Sequence, residues 1–120
     1  MNIEKIIEIF GRLAGLEADE ATDFRFMCES SVGYITSRLK PGVDIRHRCS
    51  RLEFAAAALA YYRFILWRLT DGGSNEIKVG EISVKENGTK QLEGSEQLCK
   101  EAFSAISDIL ETTDFVFRGI

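Results

Sequence analysis

The stretch Phe54-Ala55-Ala56-Ala57-Ala58-Leu59-Ala60-Tyr61-Tyr62 carries no charge on any face. Alanine and leucine are the best helix formers, and a helix that is apolar all round is normally enclosed by other elements. Working outward, Asp44 is a fitting N-cap on one side, and apolar character persists to Leu69 on the other, interrupted by Arg63 and Arg68. The spacing predicts one helix from Asp44 to about Leu69, roughly 39 Å long at 1.5 Å per residue. Four consecutive alanines, Ala55 to Ala58, would let neighbouring helices approach closely. The run Phe54 to Leu69 falls short of the roughly 20 residues that cross a bilayer, so it belongs in a protein core and no membrane contact is expected.

The flanking sequence supplies what would enclose this helix. Ile3, Ile6, Ile7 and Phe10 recur at helical spacing, with Asn2 as cap and Gly15 just past the end. A second helix is predicted from Asp19 to about Leu39, with Phe24, Met27, Cys28, Val32, Ile35 and Leu39 on one stripe and Arg25, Glu29 and Gly33 opposite; Pro41-Gly42 ends it. After the break Thr70-Asp71-Gly72-Gly73-Ser74-Asn75, the alternation of Ile77, Val79, Ile82 and Val84 reads as β structure. That alternation slips at Gly80-Glu81, which leaves open one bulged strand or a hairpin. Asn87-Gly88 reads as a turn, and a last helix is predicted from about Leu92 to Glu111, burying Leu98, Cys99, Ala102, Phe103, Ile106, Ile109 and Leu110. The tail Asp114-Phe115-Val116-Phe117-Arg118 is β-prone. The expected fold is mainly α: a small helical bundle around a long central helix, with a short β-hairpin or bulged strand and a β-prone C-terminal tail, forming a single domain over residues 1–120.

Composition narrows the function. Fifteen Lys and Arg stand against nineteen Asp and Glu, a net charge of −4, the wrong sign for a domain that lives on phosphate backbones. The three cysteines, Cys28, Cys49 and Cys99, are scattered and odd in number, and the opening Met1-Asn2-Ile3-Glu4-Lys5 has no signal-peptide character. Reduced thiols in a cytoplasmic setting are expected.

Candidates for chemistry are few. The single histidine, His47, lies two residues from Cys49, and positions two apart on a helix point in different directions. No short paired spacing of Cys and His suggests a metal site, and Gly72-Gly73 lacks the pattern of a phosphate-binding loop. No catalytic residue, metal or cofactor is assigned, and the chain is not expected to be an enzyme. Positive charge gathers at Arg38, Lys40, Arg46, His47, Arg48 and Arg51; this corner could touch DNA or an acidic partner, or be a solvated corner with local ion pairs. Arg63 falls in an apolar surrounding and needs a partner, either Glu53 within the chain or a group across a subunit interface. Phe115 and Phe117 would share one side of a strand, which must pair with residues 77 to 84 or with a neighbouring subunit.

The block Phe54 to Leu66, then Ile77-Lys78-Val79-Gly80-Glu81-Ile82-Ser83-Val84, then a closing helix and Asp114-Phe115-Val116-Phe117-Arg118, resembles phage and prophage head-tail connector proteins, also called head-completion or adaptor proteins. The likeness covers about residues 44 to 118. It implies a structural subunit that forms a ring with copies of itself between the portal protein and a tail or stopper protein, made in the host cytoplasm and then placed at the virion neck, or a prophage-encoded cytoplasmic protein. On this implication Ile77, Val79, Ile82, Val84, Phe115, Val116, Phe117 and Arg118 form the subunit or portal interface. Arg38, Lys40, Arg46, Arg48 and Arg51 form a basic patch for which two placements are open, the lumen, in passive contact with DNA in the channel, or the outer wall of the ring. The alternative from another class is a DNA-associated regulatory or packaging protein that uses the Arg38 to Arg51 cluster.

Overall fold

A computed structural model describes residues 1–69 and 81–111, with the backbone alone for 81–87. Five helices follow one another: α1 (Ile3–Ala14), α2 (Ala18–Thr22), α3 (Arg25–Thr36), α4 (Cys49–Trp67) and α5 (Glu81–Ser104), with a 3-10 turn at Ser107–Ile109. The central helix is α4, against which α1, α3 and α5 all pack, while α2 lies on α1.

The chain begins as its sequence dictates. Asn2 Oδ1 accepts from the backbone N–H groups of Glu4 and Lys5 at 3.0 and 3.3 Å, and Gly15 closes α1 in the left-handed region at φ 71°, a conformation that glycine adopts without steric cost. Ile6, Ile7 and Phe10 are buried against α4 and α3. Each such burial is worth about 1.5–3 kcal/mol. Gly11 lets α2 approach: a Cβ built on it would stand 3.0 Å from that of Ala21.

The predicted second helix is two helices. Ala18 to Thr22 forms a short first piece, with the Glu20 carboxylate accepting from the Glu17 N–H at 3.0 Å, and the chain breaks around Asp23-Phe24 before α3. The break lets Phe24 join an aromatic cluster, with its ring centre 4.9 Å from Phe64, 5.4 Å from Trp67 and 6.2 Å from Phe10. Met27, Cys28 and Ile35 are buried as their stripe predicts.

The long helix starts at Cys49 rather than Asp44. Asp44 Oδ1 accepts from the Arg46 N–H at 3.0 Å, a local side-chain turn that competes with helix, and residues 45–48 form a turn leading into Cys49. In the charge-free run Phe54 to Tyr62 every residue is buried except Phe54 and Tyr61, which are half-buried, so the run is enclosed on nearly all sides.

The β expectation for the second half is corrected where it can be tested. Ile82 and Val84 lie in α5, not in a strand, and Asn87-Gly88 is inside the same helix, not a turn. Ile77, Val79, Phe115, Val116, Phe117 and Arg118 lie outside the described residues. Gly88 has a packing role: a Cβ there would fall 2.5 Å from Leu69 Cδ2. Cys99, Phe103, Ile106, Ile109 and Leu110 are buried, whereas Leu98 and Ala102 are half-exposed. The β pairing found among the described residues is one antiparallel bridge, Leu39 to Leu110. In it Lys40 N–H donates to Ile109 O and Glu111 N–H to Arg38 O, both at 2.8 Å. No described helix is long and apolar enough to cross a membrane.

Candidate interaction surfaces

The basic corner is built by the end of α3, the 39–48 connection and the first turn of α4, closed by the 3-10 turn. Its charges do not act together. Arg46 forks onto Asp44, with Nη2 2.9 Å from Oδ2, and the pair shifts both groups: the guanidinium holds the Asp44 carboxyl below the ordinary carboxylate range, and the carboxylate raises Arg46. Arg48 is hydrogen-bonded to Asp108 from the other end of the chain. That bond, with the field of Arg51 as a minor contribution, lowers the Asp108 carboxyl. Lys40 and Arg51 are exposed. The Arg38 guanidinium lies over the Tyr34 ring, which adds a second place to the basic feature singled out in the sequence.

The second place is the seam where α3, α4 and α5 meet. The Arg38 guanidinium carbon lies 3.9 Å from the centre of the Tyr34 ring and that of Arg63 lies 5.4 Å from the same centre, both within reach of a cation–π attraction. Arg38 also donates to Ser37 Oγ at 2.7 Å and to the Tyr34 carbonyl at 3.2 Å. Arg63 donates to Ser30 Oγ at 3.1 Å. Burial lowers the proton affinity of the half-buried Arg63, with nearby Tyr34 and Cys99 opposing and Arg38 adding to the shift. The pairing of Arg63 with Glu53 is not what the structure contains: Glu53 is buried and its Oε2 accepts from the Asn2 backbone N–H at 2.6 Å. The contacts of Arg63 within the chain are instead Ser30 and the Tyr34 ring.

The thiols are engaged in packing. Cys28 and Cys99 are fully buried, and burial pushes each up to about 12, which keeps both protonated at neutral pH. Cys49 donates to the Ile45 carbonyl at 3.4 Å, and His47 is exposed.

One surface feature escaped the sequence reading. Phe26, Trp67 and Leu69 are 61%, 38% and 38% exposed, and Phe26 and Trp67 extend the Phe24–Phe64 aromatic cluster to the surface. The signal was present in the α3 sequence, since Phe26 lies off the buried stripe. A groove of about 260 Å³ also opens between α4 and α5, with Arg51 and Glu101 at its edges and Phe54, Leu98, Ala102 and Ala105 along it.

No protein-family model, curated protein or solved structure matches the chain.

Proposed function

We propose that the chain is a structural subunit of a phage or prophage head-tail connector, one copy of a ring seated between the portal and a tail or stopper protein. The observation that carries this reading is the seating of the Ala-rich, Tyr-Tyr-Arg helix on which the resemblance rests. Its apolar run lies largely in the enclosed core of the bundle, Tyr62 is buried, and Arg63, half-buried, sets its charged head against Ser30 and the Tyr34 ring. A core helix that presents one half-buried cation at a seam supplies a rigid body with a specific polar contact for a neighbour, which is what a ring subunit needs. The half-exposed aromatic end, Phe26 and Trp67, adds apolar surface of the kind that buries in assembly.

On this reading the subunit is made in the host cytoplasm and ends at the virion neck, and the tail from Asp114 to Arg118 contributes contacts to the portal or to the next component. The test is a deletion of residues 112–120. The shortened protein should remain a folded helical bundle yet fail to enter particles; unchanged incorporation contradicts the role given to the tail.

A further inference from the structure

Helix α5 carries more apolar surface than α4 covers. Leu98 and Ala102, with Ala105 just past the helix end, recur at i, i+4 and i+7 on one side, and none of the three is buried. Together with Phe54, which is half-buried in an otherwise enclosed run, they line the groove of about 260 Å³ whose edges are Arg51 and Glu101. A dry cavity of about 150 Å³ takes up benzene, so the groove has room for one phenyl ring.

The chain also carries a phenyl ring that its own fold leaves outside. Phe26 is 61% exposed and lies nine residues from buried Ile35. Nine residues are about 2.5 helical turns, so Phe26 leaves α3 on the side away from the core. The same spacing separates Phe54 from Arg63 on α4, and Arg63 donates to Ser30 of α3. Helix α3 therefore packs on the face of α4 opposite Phe54, and the protruding ring and the groove stand on opposite flanks of the central helix.

Charge fits the two surfaces together. Asp23 and Glu29 are exposed, three residues to either side of Phe26. Glu29 is shared with Arg25 at 3.6 Å, whereas neither Asp23 nor Arg51 belongs to an ion pair among the described residues. A carboxylate beside the ring and a cation at the edge of the groove meet when the ring enters.

We propose that Phe26 of one copy inserts into the groove between α4 and α5 of a second copy, with Arg51 at the groove's edge facing Asp23 beside the inserted ring. An aromatic that fills a pocket elsewhere on the same molecule makes a heterologous, head-to-tail contact, which closes into a ring or grows into a filament according to its rotation. The contact deepens the ring reading, on which its closure rests.

The experiment is sedimentation velocity on the full chain over a wide concentration range, with Phe26→Ala, with Ala105→Trp, which fills the groove, and with the two mixed. Both side chains are exposed, so each variant should keep its helical circular dichroism; Arg51→Glu replaces Ala105→Trp if the tryptophan disturbs folding. The original chain should associate, and each variant alone should associate at least about tenfold more weakly, as befits an aromatic anchor in a pocket. The mixture should form one-to-one dimers and nothing larger, because the intact groove of Phe26→Ala accepts the intact ring of Ala105→Trp and no further site is left. A chain that is monomeric at every concentration, variants that associate like the original, or a mixture that does not pair overturns the contact. Rings that an otherwise monomeric chain forms on a portal, unaffected by Phe26→Ala, remove this contact and leave the connector reading standing; association that depends on Phe26 with no portal binding does the opposite.

Discussion

The buried carboxylate of Glu53 accepts the backbone N–H of Asn2 at 2.6 Å, so that the second turn of α4 holds the start of α1. The N-terminal end of a helix carries unsatisfied donors and a partial positive charge, and Glu53 supplies a negative acceptor there from across the bundle. Glu53→Ala should therefore lower stability by about 2 kcal/mol, because a buried donor loses its partner and the side chain leaves a gap. Glu53→Gln keeps an acceptor and should cost about half as much. Urea unfolding followed by circular dichroism measures both, and a pair of variants indistinguishable from the original chain would show that the contact contributes nothing.

The glycines give a test of opposite signs. Gly94 lies in α5 with nothing within 4 Å of a built Cβ, so Gly94→Ala should raise stability by about 0.5–1 kcal/mol through helix propensity alone. Gly15 sits at φ 71°, where a side chain is strained, and Gly15→Ala should lower stability by about 1 kcal/mol. Destabilisation by Gly94→Ala would argue that this part of α5 is not helical.

Thiol chemistry reports the burial of the seam. Cys28 and Cys99, pushed up to about 12 from an ordinary 9.0, should be silent toward an aromatic disulfide reagent at pH 8 in the folded protein, while half-buried Cys49 reacts; all three should react in denaturant. Because the folded-state values are raised, the contribution of both thiols to stability is intact below about pH 9 and is lost as the pH rises toward 12. The expected slope is up to about 1.4 kcal/mol per thiol per pH unit in that window. A stability that is flat from pH 8 to pH 11 would contradict the burial.

The basic corner should bind duplex DNA weakly. Arg46 and Arg48 already face Asp44 and Asp108, and exposed charges are screened at physiological salt. Replacing Arg46, Arg48 and Arg51 together by glutamine should leave whatever DNA binding exists nearly unchanged, as read by fluorescence anisotropy. A steep salt dependence that vanishes in the triple variant would favour the DNA-associated alternative.

How far the sequence could be read depended on whether a signal was local. The caps of α1 at Asn2 and Gly15, the stripe of Ile6, Ile7 and Phe10, and the enclosed run at Ala55 to Ala60 follow from spacing and propensity, and all are present. Three expectations failed because another contact outweighed the preference that was read, one of them local and two tertiary. Asp44 caps a turn with Arg46 instead of a helix. Phe24 breaks the second helix to reach Phe64 and Trp67. Ile82, Val84 and Gly88, which look like strand and turn, lie within α5, where Gly88 makes room for Leu69. At the candidate site, the sequence identified Arg63 as needing a partner and Arg38 as part of a cluster, but only packing reveals that both rest on Tyr34. The bridge between Leu39 and Leu110 joins segments far apart in sequence, and no periodicity announces such a pair.

The central claim is that this chain is a ring subunit at a portal, and the most direct measurement is the solution mass by light scattering, with and without the cognate portal complex, followed by electron microscopy of the mixture. The account predicts a closed ring of copies on the portal at a fixed stoichiometry, with free chain and portal depleted together. A chain that stays separate from the portal at every concentration and ratio would contradict it.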